Sequence, residues 1–431
     1  MVHFAAFPAV MALVAGHTLA APLGDWYQAA DSSVAAMFHK RYTPSPSDAN
    51  FTSNYPTGWT TPTSDTLPKA WTDKLASIQM PNVSVATQNN GYPTYPNGES
   101  GADSTICSFT YECTTSDDLL NPPDGVLALT FDDGPTDYSE ELYAFLSQNN
   151  ASGKATHFMI GGNILGSPTV MQDALKAGGH IAVHTWSHPY MTTLTNEQVL
   201  GELGWTMQII SDLSGGRVPK FWRPPYGDVD NRVRAIAKGV FGLETVPWNQ
   251  DSADWAIGTD AQYTNASVEA SINQWLSGSK TPGLCMLEHE LNANTVGVFE
   301  NVYPNMVSNG WNVKTVADAW SLDWYQNAAD DTATVTSMAI AGDAVAQSST
   351  ASSSSAVSST SASSKTTSTA ASVSASSTSA VTSTTASSAQ SSANASSAAA
   401  VTSKTGAAGR VQVGAGWAVV LFGAVVGVLS I

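Results

Sequence analysis

Leu129-Thr130-Phe131-Asp132-Asp133-Gly134-Pro135 is the stretch from which the rest of this chain can be read. Together with the preceding Val126-Leu127-Ala128 it forms a short apolar run closed by turn residues, the pattern of a strand buried on both faces in a parallel sheet. The run delivers two adjacent carboxylates to a strand end, where Gly134 and Pro135 bend the backbone and let Asp132 and Asp133 face one cleft. Two carboxylates that close repel, and both stay ionised only where a cation or a metal compensates one of them.

Four more polar clusters follow, each at the end of a plausible strand. In His180-Ile181-Ala182-Val183-His184-Thr185-Trp186-Ser187-His188, residues His184 and His188 are four apart, a spacing that puts two imidazoles on one helical or tight-turn face within reach of one metal. Then come Arg223-Pro224-Pro225-Tyr226-Gly227, Asp251-Ser252-Ala253-Asp254-Trp255, and Leu287-Glu288-His289. Strands are expected at 126–131, 155–160, 180–184, just before Arg223, at 243–247 and at 283–287, with helices at 139–147, 196–213 and 267–276. This alternation predicts an α/β domain of βα units around a parallel sheet, and chemistry gathered at strand C-termini favours a barrel over an open sheet.

Taken in order, residues 130–135, 184–188, 223–227, 251–255 and 287–289 resemble the five motifs of the polysaccharide deacetylases, carbohydrate esterase family four. The fungal chitin deacetylases are the most similar group, and the resemblance covers about residues 123–325. It implies a distorted, incomplete (β/α) barrel and metal-dependent hydrolysis of the N-acetyl groups of chitin, giving chitosan and acetate. Asp133, His184 and His188 form a His₂–carboxylate set for one divalent ion, zinc or cobalt, which leaves coordination positions open. The resemblance makes Asp132 the general base, oriented by Arg223, and His289 the general acid, oriented by Asp251. It assigns an oxyanion-hole N–H to the backbone of Tyr226, and substrate contacts to Tyr226, Trp255 and Leu287. Asp254 lies in the fourth cluster without an assigned role.

Two features depart from the family pattern: His157-Phe158 stands where members commonly carry two aromatics, and Glu288 and Glu290 flank the expected acid. Trp186, Trp222 and Trp248 are read as core and not as sugar platforms, and His17, His157 and His180 as structural or exposed.

Composition narrows the partners. The 431 residues carry a formal net charge of -18, with 17 Lys and Arg against 35 Asp and Glu, which argues against nucleic acid and suits an uncharged or cationic glycan. Three cysteines cannot all pair within one chain, so one disulfide and one free thiol are expected; Cys107–Cys113 and Cys113–Cys285 both remain open.

The ends carry the signals of export. Residues 1–20 read as a secretory signal peptide, and 21–122 as an extension with a first helix at 26–41 and little periodicity after it. Asn50, Asn82, Asn150, Asn265 and Asn394 are N-glycosylation sequons. Residues 326–403 are expected to form a Ser/Thr/Ala-rich glycosylated stalk, and 404–431 a glycosylphosphatidylinositol signal with attachment at Gly406 or Asn394. A single C-terminal membrane span is the rival for that tail. The expected setting is the outer face of the plasma membrane and the cell wall, with wall glucan as a further partner. Two other readings stay open: a deacetylase of another acetylated polysaccharide, xylan or peptidoglycan, or a non-catalytic wall glycan-binding protein.

Overall fold

The computed structural model describes residues 44–89 and 91–341. The expected signal peptide, the helix expected at 26–41, Asn394, Gly406 and the expected anchor signal lie outside those residues. A hairpin of β1 (Thr87–Asn89) and β2 (Tyr92–Thr94) precedes the main domain. Its strands are β3 (Val126–Ala128), β4 (Thr130–Gly134), β5 (Thr156–Met159), β6 (His180–Val183), β7 (Phe221–Trp222), β8 (Glu244–Thr245), β9 (Gln250–Asp251), β10 (Leu284–Leu287) and β11 (Asn312–Lys314).

The ladders that join strands β3 to β11 among the described residues are all parallel. One sheet runs β11-β3-β10-β9 and the other β4-β5-β6-β7-β8. The stretch 126–134 belongs to both, β3 in the first sheet and β4 in the second, and the seam continues across Asp132. Its N–H donates to Glu288 O at 3.0 Å, and its carbonyl accepts from Glu290 N at 3.1 Å. No ladder joins β8 to β9 among the described residues. The expected incomplete, distorted barrel therefore opens between those two strands.

Alternation along 126–132 sets up the site. Leu127, Leu129 and Phe131 face the larger core under the helices, whereas Val126 and Ala128 join Phe158, Ala182, Phe221, Val246 and Cys285 in a second, inner cluster. Thr130 and Asp132 continue the inner series. A register shift between Asp132 and Gly134, with φ +73° at Asp133, then breaks the alternation and lets the second carboxylate return to the barrel mouth.

The helices are α1 (Lys69–Ser77), α2 (Ser139–Gln148), α3 (Gly161–Gly166), α4 (Pro168–Lys176), α5 (Asn196–Leu213), α6 (Asn231–Phe241), α7 (Asn265–Leu276), α8 (Ala293–Ser308) and α9 (Val316–Ala319). Helix α5 starts on a capping box, in which Thr195 Oγ1 accepts from Gln198 N and Gln198 Oε1 accepts from Thr195 N.

The N-terminal extension is part of the body of the fold. Trp71 on α1 is 2 % exposed, and its ring meets Trp205 and Phe241 edge-on at 5.4 and 5.6 Å. It lies so close to α5 that a Cβ on Gly204 would come within 2.4 Å of it. Arg234 of α6 donates through Nε and Nη2 to both oxygens of buried Asp118, at 2.9 and 2.8 Å. The disulfide joins Cys107 to Cys113, leaving Cys285 free and buried. Attachment by isolated aromatics and one buried ion pair explains why no hydrophobic period announced this segment.

At the other end, residues 326–341, expected to belong to the stalk, pack instead on the barrel. Asn327 Oδ1 accepts from Val218 N, and its Nδ2 donates to Gly216 O and Thr336 O, while Ile340 is buried in the main core. Asn50, Asn82 and Asn150 are exposed, and Asn265 is partly exposed at the start of α7. No helix among the described residues is long and apolar enough to cross a membrane.

Candidate active site

Asp133, His184 and His188 converge at the barrel mouth, with their ligand atoms all within 4.8 Å of one another. His184 Nδ1 donates to Arg223 O at 2.8 Å; a carbonyl can only accept, so in the neutral ring Nε2 presents its lone pair to the site. That Nε2 lies 3.3 Å from Asp133 Oδ1 and 3.8 Å from Asp132 Oδ2, and His188 Nε2 lies 3.3 Å from the same Asp133 Oδ1. Asp133 Oδ1 is buried with no hydrogen-bond partner among the described residues. Burial alone would raise the Asp133 carboxyl, but the two histidines outweigh it and hold the group well below the usual carboxylate range. Two imidazole nitrogens and a carboxylate oxygen facing one point offer three donor atoms to a single cation. The donor set fits a divalent ion.

The four-residue spacing of the histidines is realised by a turn, not a helix. Thr185 and His188 both have positive φ, +66° and +57°. The turn is pinned by Glu202 on α5, whose buried carboxylate accepts from Trp186 N, Ser187 N and Ser187 Oγ at 2.7, 2.8 and 2.6 Å.

Asp132 is 1 % exposed and answers to a different partner. Arg223 Nη1 donates to Asp132 Oδ1 and to Thr130 Oγ1, each at 2.8 Å, while Nε donates to Val246 O at 3.0 Å. The guanidinium lies over the Phe158 ring, 4.4 Å from its centroid. The His157-Phe158 pair is thereby accounted for: Phe158 faces Arg223 inside the barrel, and His157 Nδ1 faces Glu290 Oε1 outside it, at 3.2 Å. Strand alternation separates their jobs.

One expectation is corrected here. The carboxylate that holds His289 is Asp254, not Asp251: His289 Nδ1 bonds Asp254 Oδ1 at 2.6 Å, and His289 N donates to Asp254 Oδ2 at 2.9 Å. Asp251 Oδ1 instead accepts from Ala253 N at 2.8 Å. The backbone turns at Ala253, φ +56°, which swings Asp254 inward to 2 % exposure. Burial would lower the His289 pKa, but Asp254 foremost, with Asp133 and Asp132 behind it, raises it to about 10. Of the flanking carboxylates, Glu290 is turned toward His157. Glu288 is buried, its two oxygens lack hydrogen-bond partners among the described residues, and burial, followed by the charge of Asp254, pushes its carboxyl up to about 8.

Tyr226 is exposed with φ +57°; its ring stacks on Tyr190 at 4.1 Å and meets His188 edge-on at 4.6 Å. Leu287 is buried and Trp255 half-buried, the latter donating its backbone N–H to Asp254 Oδ1 at 2.8 Å. Trp186 and Trp222 are fully buried, as core residues should be. Asp133, Thr185, His188, Tyr226 and Ala253 all adopt positive φ without being glycine, a concentration of backbone strain worth about 1–3 kcal/mol each that the surrounding bonds must hold.

Sequence reasoning missed Asp254 as the partner of His289, and Glu202 altogether. For Glu202 a signal existed: a carboxylate between Leu200 and Leu203 on the apolar face of a helix needs a buried partner.

A polysaccharide deacetylase family model matches residues 120–244. Chitin deacetylase 3 of Cryptococcus neoformans var. neoformans is 60% identical over 329 residues, covering 75% of this chain and 80% of that protein. Chitin deacetylase 1 of Cryptococcus neoformans var. grubii is 32% identical over 311 residues, 67% of this chain and 63% of that one. Among solved structures, a family 4 carbohydrate esterase from Streptomyces lividans in complex with acetate aligns with TM-score 0.38 and 32% identity, over 43% of this chain and 90% of that one. The sequence kinship spans four-fifths of the first of these relatives and includes all five polar clusters of the barrel mouth, and on it we place this chain in the polysaccharide deacetylase family.

Proposed function

We propose that this chain removes N-acetyl groups from chitin, releasing acetate and leaving chitosan. The observation that carries the reading is the division of labour between two neighbouring carboxylates. Asp133 faces the histidines, and Asp132, paired with Arg223, is left beside the site to act as the base. A divalent ion, zinc or cobalt, held by Asp133, His184 and His188 supplies Lewis acidity and makes water easier to deprotonate near neutral pH.

The remaining steps belong to the chain. Asp132 takes the proton of the attacking water, and Arg223 holds its carboxylate in one rotamer as it does so. As the acetamide carbonyl becomes tetrahedral, the backbone N–H of Tyr226 donates to the developing oxyanion. An amine leaves poorly unless protonated; His289, kept charged by Asp254, delivers that proton to the departing nitrogen. Leu287 and Trp255 wall the acetyl methyl, whose small size suits a tight apolar slot.

The setting we propose is the cell surface: export through residues 1–20, glycosylation at exposed sequons, and a lipid anchor or transfer to wall glucan through residues 404–431. Acetate release from N-acetylglucosamine oligomers, with chelator and with zinc or cobalt restored, tests the reading. Release from acetylated xylan or peptidoglycan but not chitin would replace the substrate, and glycan binding without release from any of them would replace catalysis.

A further inference from the structure

Trp59 stands out in the extension. It is 58 % exposed, and its φ is +57°, a conformation that a bulky side chain rarely takes. Exposure of an indole and a left-handed backbone each cost stability, and together they are hard to explain as packing.

The segment around it is held firmly against the loops of the site. Trp186 Nε1 donates to Thr57 O at 3.0 Å, and Thr61 Oγ1 and Ser187 Oγ are 3.2 Å apart, one residue from His188. Tyr55 stacks on Trp186 at 6.3 Å. On the other flank, backbones touch through glycine: a Cβ on Gly162 would meet Trp59 N at 2.9 Å and Trp186 O at 3.0 Å. The next residue, Asn163, donates through Nδ2 to Asp133 O at 2.8 Å. Trp59 is thus fixed beside both the turn that carries His188 and the residue that bonds the Asp133 backbone.

We propose that Trp59 is a sugar platform contributed by the extension, stacking on a pyranose ring of the same glycan at a position remote from the acetyl group being cleaved. The axial C–H groups of a β-linked hexose present a weakly positive face, which suits the negative face of an indole. A rigid aromatic presented in advance gives up little entropy on binding. The inference rests on the glycan reading above, and it makes occupancy depend on chain length: a short oligomer fills the acetamide pocket without reaching Trp59, and a longer one reaches both.

The test is binding of N-acetylglucosamine dimer and pentamer, by calorimetry, to full-length protein carrying Asp132→Asn so that no turnover intervenes. Turnover is measured in parallel with an intact Asp132. Trp59→Ala and Trp59→Gly are expected to weaken pentamer binding about tenfold, with the dimer unaffected and Trp59→Phe near the parent. Trp59→Gly, which relieves the positive φ, should also melt higher than the parent even as it binds the pentamer less well. Equal losses for dimer and pentamer, or none for either, would overturn the platform. If the parent protein releases acetate from no glycan, the catalytic reading falls, while the calorimetry still decides on Trp59.

Discussion

Arg223 Nη1 donates to Asp132 Oδ1 at 2.8 Å, and both side chains are sealed from water at 0 and 2 % exposure. The guanidinium is the partner of that buried carboxylate, and it is itself held by Thr130, Val246 and Phe158. Arg223→Met removes the positive partner and leaves a buried charge alone. The expected cost is about 3–5 kcal/mol in denaturant unfolding. Acetate release should fall by at least about a hundredfold, since the proposed base loses the partner that fixes its rotamer.

Asp254 and Asp251 make a controlled pair. Asp254→Asn should move the alkaline limb of the rate profile to lower pH and cut kcat by about 10²–10³, and Asp251→Asn should leave the limb in place. Stability follows with a definite sign. The folded value of His289, about 10, lies above its ordinary 6.5, so the pair's contribution is complete below about pH 6.5 and is lost as pH rises toward 10. Asp254→Asn should therefore be less stable than the parent at pH 6 and approach it near pH 10, in urea melts at the two values.

Ion binding should read out in stability as well as in rate. With Asp133 Oδ1 facing two imidazoles 3.3 Å away, chelation leaves three donor atoms at the mouth without their common ion. Zinc or cobalt at a hundredfold excess over its dissociation constant should restore about 2.7 kcal/mol, seen as a rise in Tm. His188→Ala should melt at one temperature with or without the ion.

Much of this site was legible because chemistry forces unusual residues together: Asp132-Asp133 at the end of an apolar run, or His184 and His188 four apart, have few structural uses. The strand alternation that separates Thr130 and Asp132 from Leu129 and Phe131 is equally a property of sequence. What escaped depends on single backbone turns or distant contacts. Asp251 and Asp254 are equivalent on paper, and only φ +56° at Ala253 decides which reaches His289. Glu202 serves a turn that ends fourteen residues before it in the chain. The extension, tied down by Trp71, Tyr55 and Asp118 one at a time, carries no period to detect.

The extension supplies a separate test of integrity. Trp71 is 2 % exposed between α5 and α6, and Trp71→Ala should destabilise the whole domain by about 3–5 kcal/mol, with a single transition. Two transitions, with the barrel unchanged, would mean that the extension is a separable layer.

Gly134 argues the closest coupling between fold and chemistry. A Cβ there would lie 2.0 Å from Glu290 Oε1 and 2.4 Å from its carboxyl carbon. Glu290 is fully buried, and its carboxylate is tied to His157 while its backbone N–H is tied to Asp132 O, so the side chain has nowhere to swing. Gly134→Ala must then displace the backbone next to Asp132 and Asp133. Overpacking of this kind costs about 1–3 kcal/mol, leaving the protein folded, while acetate release and ion affinity should both drop by at least about tenfold. Glu290→Ala in the same chain opens space for the new methyl. If Gly134 matters through that contact, the double variant should recover ion affinity relative to Gly134→Ala alone; if the glycine is needed for its backbone instead, it should not.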